Sequence, residues 1–167
     1  AKKELRKVKR GDKELKVGVI TVPSFYQDYN ARAAGDDEYR STTRDVRKLL
    51  DEIKAEGGVD GLVLDLRENG GGGLDSALPF GECIATDTVD AGYFVTNVWA
   101  NKANRPSGPA AFNNLPIARE RTTEAFIDAL KTSEGRHLVL YPRSDAYKGK
   151  VYILTSNKTA STCEPIV

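Results

Sequence analysis

One serine near the end of the chain carries the clearest chemical signal. Ser161 follows a run of β-branched and aromatic residues (151–155) and a polar loop, Ser156-Asn157-Lys158-Thr159. The order strand, tight loop, serine, helix lifts a hydroxyl clear of a sheet and points backbone N–H groups toward it, the layout of an acyl-transfer nucleophile. The plainer alternative is that Ser161 or Thr162 only caps a helix, as Ser and Thr often do. A second feature stands about ninety residues upstream: Gly70, Gly71, Gly72 and Gly73 in succession. Glycines let backbone N–H groups approach a bound group closely, and four in a row exceed what a plain turn needs. No Gly-Lys-Ser/Thr follows them, and the dinucleotide spacing lacks its third glycine and meets an acid at Asp75. That leaves a plain tight turn and, as the sharper alternative, an oxyanion or carboxylate cradle.

The elements that must position these residues can be read from periodicity. Residues 17–22 form a short apolar strand ended by Pro23. The aromatic-rich stretch after it reads as loop. Residues 41–56 form the clearest helix, with Val46, Leu49, Leu50 and Ile53 on one face, Thr42 and Asp45 as a capping box and Gly57 at the stop. Residues 59–66 read as a strand covered on both faces and run straight into the glycines. A helix between two such strands is a βαβ unit with a parallel pair. Farther on, a strand is expected over 93–99, a loop over 101–116, a helix over 118–131 and a strand over 137–141.

Those stretches, taken together, resemble the tail-specific, or carboxyl-terminal processing, serine peptidases. The resemblance rests on KVGVITVPSFY (residues 16–26), STTRDVRKLLDEIKAEGGVDGLVLDLRENGGGGL (41–74) and TSNKTASTCE (155–164). It implies an α/β fold: a single domain with a mostly parallel sheet and helices on its faces. It implies Ser161 as nucleophile, with Thr159 and Ala160 before it and Glu164 after it in register. Gly72 and Thr162 would supply the oxyanion N–H groups, and Gly71, Gly73 and Ala160 would line the bound peptide. The Asp-Leu-Arg segment ending at Arg67 is mainly structural in the family. The implied reaction is peptide hydrolysis near the C-terminus of a peptide or protein substrate. A PDZ module would precede the chain, and the compartment would be the periplasm or cell envelope.

Several features depart from the family pattern. Pro79 falls where the helix after the glycines should continue, and a proline there removes a helix bond. Cys163 and Pro165 replace a serine and an aliphatic residue, and residues 81–145 match poorly, as in another branch of the clan or a recombined sequence. The family's general base is a lysine farther along than the six residues that follow Ser161. The expectation is therefore a core cut from a longer protein, and inactive alone. The rival is a non-catalytic or designed α/β binding or scaffold domain that keeps the motifs.

Other candidates are weaker. His137 is the only histidine and the only possible centre of a Ser-His-Asp triad, but a strand-edge role suits it better. Lys148, Lys150 and Lys158 lie in polar text, whereas a lysine base needs burial to lower its pKa. Cys163 should face the core rather than act as a thiol nucleophile, and Trp99 should pack.

Composition bounds the rest. The chain has 167 residues, 40% hydrophobic and 29% charged, with net charge +1. That gives no case for nucleic acid as a partner. Cys83 and Cys163 have no metal-site spacing, so neither metal nor other cofactor is expected. Residues 1–16 hold eight Lys or Arg against three acids, a basic linker or an exposed strand pair turning at Gly11-Asp12. The domain would then span 17–167.

Overall fold

The computed structural model describes residues 1–102, 107–120 and 122–167. Its main sheet has the order β1-β2-β3-β6. Strands β1 (Lys2–Arg10) and β2 (Lys13–Thr21) form an antiparallel hairpin that turns at Gly11, where φ is +61°. The basic N-terminal segment is thus the strand pair rather than a free linker, and a division at residue 16 runs through β2. Strands β2, β3 (Gly61–Asp65) and β6 (Val151–Leu154) are parallel, with Val63 beside both Val19 and Tyr152.

One face of this sheet makes the core. The parallel register puts Ile20, Leu62 and Leu64 on the same side, and all are fully buried. Helix α2 (Thr42–Ala55) covers them with Val46 and Ile53, also inaccessible, while Leu49 and Leu50 of the expected stripe are only half-buried. Ser41, not Thr42, caps this helix, accepting the Arg44 N–H. Thr42 is buried and turns its hydroxyl to the Ser24 carbonyl and the Tyr26 N–H. The capping serine is one residue earlier than the capping-box reading because Thr42 is needed to hold the loop after β2.

Helix α3 (Leu74–Glu82) follows the glycines and runs through Pro79. Ser76, Ala77, Phe80 and Gly81 face the core, and a Cβ at Gly81 would meet the Ile166 and Leu140 side chains at 2.9 and 2.8 Å. The close approach of those neighbours explains a glycine inside a helix.

The middle of the chain builds a second, two-stranded sheet from β4 (Val89–Val95) and β5 (Gly135–Leu140). The strand expected to reach Trp99 ends earlier, and Trp99 instead sits buried on the short helix α4 (Asn97–Ala100), whose N-cap is Thr96. A further short helix, α1 (Tyr29–Ala33), lies in the stretch read as loop. Helix α5 (Thr123–Ser133) begins at the Thr122 cap, five residues later than expected. Residues 103–106 of the expected loop, and residue 121 of the expected helix, lie outside the described residues. Among the described residues, no helix is long and apolar enough to cross a membrane.

Candidate active site

The two motifs meet because β3 and β6 are parallel neighbours and their C-terminal ends share one edge of the sheet. The loop after β6 is laced to the exit of β3. Thr159 donates its hydroxyl to the Leu66 carbonyl at 2.8 Å, and the Ser156 hydroxyl donates to that of Arg67. Lys158 forms an exposed ion pair with Glu68. Asp65 is held by Arg67 through two short bonds, 2.7 and 2.8 Å, and the guanidinium keeps its carboxyl below the usual carboxylate range against the opposing pull of burial.

Asn69 joins the loops and was not singled out by its sequence. It is fully buried. Its Oδ1 accepts the Gly71 N–H at 2.9 Å. Its carbonyl accepts both the Ala160 N–H and the Cys163 thiol, each at 3.3 Å. One residue thus fixes the glycine loop through its side chain and the serine turn through its backbone. Buried asparagines that satisfy backbone groups are invisible to periodicity; only the position between a strand end and glycines hints at the role.

Phe25 holds the glycine loop from the other side. Its N–H donates to the Gly71 carbonyl at 2.9 Å and its carbonyl accepts the Gly73 N–H at 3.0 Å. Gly71 and Gly72 adopt φ of +105° and +144°, conformations open to glycine and strained for other residues. Gly72 offers its carbonyl to the Thr162 hydroxyl at 3.3 Å. Among the described residues, the N–H groups of Gly72 and Thr162 have no hydrogen-bond partner.

Ser161 is exposed and sits at φ +60°, the left-handed region. It opens a short 3-10 helix, Ser161–Ile166, where a longer helix was expected; Pro165 lies inside it. Glu164 reaches back to accept the Ser161 N–H at 3.0 Å. A Cβ added to Gly71 would lie 3.1 Å from the Ser161 Oγ. Adjacent Cα atoms are about 3.8 Å apart, so Gly72 also lies within roughly 9 Å of that hydroxyl. Ala160, extended at φ −152°, leads into the turn, and Gly73 caps α3 beside Asp75. The six residues singled out from the sequence therefore gather at one sheet edge. Cys163 points inward and is fully buried, and burial raises its thiol pKa.

The Ser161 Oγ has no hydrogen-bond partner among the described residues. His137 is on β5, bonded to Asp90 at 3.0 Å and stacked on Tyr93, so its ring is engaged in the second sheet. Lys148 and Lys150 are exposed, as expected for lysines without a base role.

Comparison with known proteins adds the following. The profile of peptidase family S41 matches residues 16–167. No curated protein matches in sequence. Among solved structures, the fold is similar to mature CPAF, with TM-score 0.57, 12% identity, and coverage of 95% of this chain and 36% of that one. It is also similar to a photosystem II D1 C-terminal processing protease, with TM-score 0.52, 17% identity, and coverage of 95% of this chain and 28% of that one. The chain therefore spans about a third of the length of the structures it matches.

Proposed function

The chain belongs to peptidase family S41, and from that premise we propose that Ser161 is the nucleophile of a serine endopeptidase core acting near the C-termini of peptide or protein substrates. One observation carries this reading: the exposed Ser161 Oγ stands against the glycine loop, within 3.1 Å of where a Gly71 Cβ would lie. The N–H groups of Gly72 and Thr162, unpaired among the described residues, serve as oxyanion donors, preorganised by the Asn69 and Phe25 bonds on either side. Gly71, Gly73 and Ala160 line the path of the substrate backbone. The C-terminal processing named for one structural neighbour supports the substrate class.

A serine hydroxyl needs a base within hydrogen-bond reach. In this reading that base is a lysine supplied from outside these 167 residues, and the chain alone does not turn over. A preceding PDZ module and an envelope compartment belong to the same reading. The test is peptide hydrolysis by this chain and by a version extended beyond Val167, each beside a Ser161→Ala control. Turnover is expected only in the extended protein and only with Ser161 intact. Turnover that survives Ser161→Ala would overturn the assignment. Ser161-dependent turnover by the 167-residue chain would place the base inside it, with Lys158 and His137 the first to replace. A second reading, a non-catalytic binding or scaffold domain, draws on the lack of a partner for the Ser161 Oγ among the described residues. It predicts no hydrolysis from either protein.

A further inference from the structure

A second face of α3 lines a slot of about 160 Å³. Leu74, Leu78 and Glu82 recur at i, i+4 and i+8 and therefore share that face. The opposite wall is Phe126 of α5, and the floor is Val139 of β5 with Tyr141 just beyond it. Pockets for drug-sized ligands run to roughly 300–1,000 Å³, so this one is sized for a single side chain. Leu74, at one end of the lining, directly follows the glycine loop.

The charges of the lining are unequally committed. The Asp75 carboxylate, beside Leu74, is 1% exposed and already receives Tyr29, Thr123 and Gln27, with Arg32 at 3.6 Å. Glu120 pairs with Arg136 at 2.9 Å. Arg119 lies over the Tyr141 ring at 5.8 Å. Arg143, whose N–H bonds the Glu82 carbonyl, gives its guanidinium to Asp145 at 2.8 Å. That leaves the half-buried Glu82 carboxylate without an ion pair among the described residues. Its Cα is eight residues, or about 12 Å, along the helix from Leu74. Helical side chains lean toward the helix N-terminus, which brings the carboxylate back toward the Leu78 turn.

We propose that this slot is a specificity subsite for a lysine side chain of the substrate, with its methylenes along Leu74, Leu78, Phe126 and Val139 and its ammonium at Glu82. The inference rests on the peptidase reading of Ser161 and adds the side-chain class that the site selects. Apolar walls beside a carboxylate that lacks an ion pair among the described residues, with only the more distant Arg143 charge acting on it, suit an amphipathic stem better than a plain aliphatic one.

The test is fluorescence anisotropy of labelled hexapeptides on the intact chain, with lysine, norleucine or glutamate placed in turn at each position. One position should show lysine binding five- to tenfold more tightly than norleucine, with glutamate weakest. Glu82→Gln should reduce the lysine advantage below twofold, with lysine binding weakened and norleucine binding equal or tighter. A lysine advantage that persists in Glu82→Gln overturns the assignment, because the cation is then recognised elsewhere. Equal binding of all three side chains at every position overturns the subsite while the peptide-binding reading stands. Binding of none overturns both.

Discussion

Gly71 and Ser161 stand so close that no side chain fits between them: a Cβ at Gly71 would fall 2.7 Å from the Ser161 Cβ. Their contact is what unites two motifs ninety residues apart, and it makes the four glycines unequal. At Gly72 an added Cβ would fall 2.0 Å from the Phe25 carbonyl oxygen, a backbone atom that cannot swing aside. At Gly70 the nearest atom is 3.9 Å away.

Alanine substitution should therefore give a graded series. Gly70→Ala should be nearly neutral. Gly71→Ala and Gly72→Ala should each lose about 2–4 kcal/mol in urea titration, from positive-φ strain added to steric overlap. Gly73→Ala should fall between, since the atoms met there are the movable tips of Asp75 and Tyr29, both at 2.6 Å. Equal losses at all four positions would mean that the loop is merely a flexible turn.

The main sheet and the candidate site were largely legible because they rest on local rules. A short apolar run, a helix with one apolar stripe and glycines at a strand end each declare themselves within a few residues. The cover expected on both faces of residues 59–66 is complete on one only, with Leu62 and Leu64 buried and Val63 and Asp65 half-buried. What escaped depends on distant partners. Asn69 matters through bonds to residues 160 and 163. Residues 1–16 left a linker and a strand pair turning at Gly11-Asp12 both open, because an edge strand facing solvent carries lysines against edge pairing; the hairpin is the second of these. The strand at 93–99 was misjudged in register because β4 starts at Val89, where Asp90 can meet His137, and gives way at the Thr96 cap. Ser161 opens a 3-10 turn rather than a longer helix, with its backbone in the left-handed region and Pro165 four residues on.

Cys83 makes stability fall on the alkaline side. The thiol is 2% exposed, its Sγ donates to the Pro79 carbonyl, and burial pushes its pKa up to about 11. In the unfolded chain a cysteine ionises near 8.5. Between these values the unfolded state has lost the proton and the folded state still holds it, so unfolding gains free energy as pH rises. The contribution of this thiol should be level below about pH 8.5 and decline up to about pH 11. In Cys83→Ala the decline should be shallower, whatever the packing loss does to stability at neutral pH. Parallel pH profiles for the two proteins would show that this thiol does not control the alkaline limb.

Ser161 stores strain at the point of proposed catalysis. A non-glycine residue in the left-handed region costs roughly 1 kcal/mol, and the turn persists because its neighbours are tied down. Ala160 and Cys163 both bond the Asn69 carbonyl, and Glu164 holds the Ser161 N–H. Elsewhere a serine-to-glycine change costs free energy, because glycine has more backbone freedom to lose on folding. At this position relief of strain offsets that loss. Ser161→Gly should match the parent in urea titration or exceed it by up to about 1 kcal/mol. Ser161→Ala keeps the strained φ and gives up only a hydroxyl with no protein partner among the described residues, so it should stay within about 0.5 kcal/mol of the parent. A loss above about 1 kcal/mol in the glycine variant alone would show that the left-handed turn is not under strain. The case for a backbone held ready at the nucleophile would then fall with it.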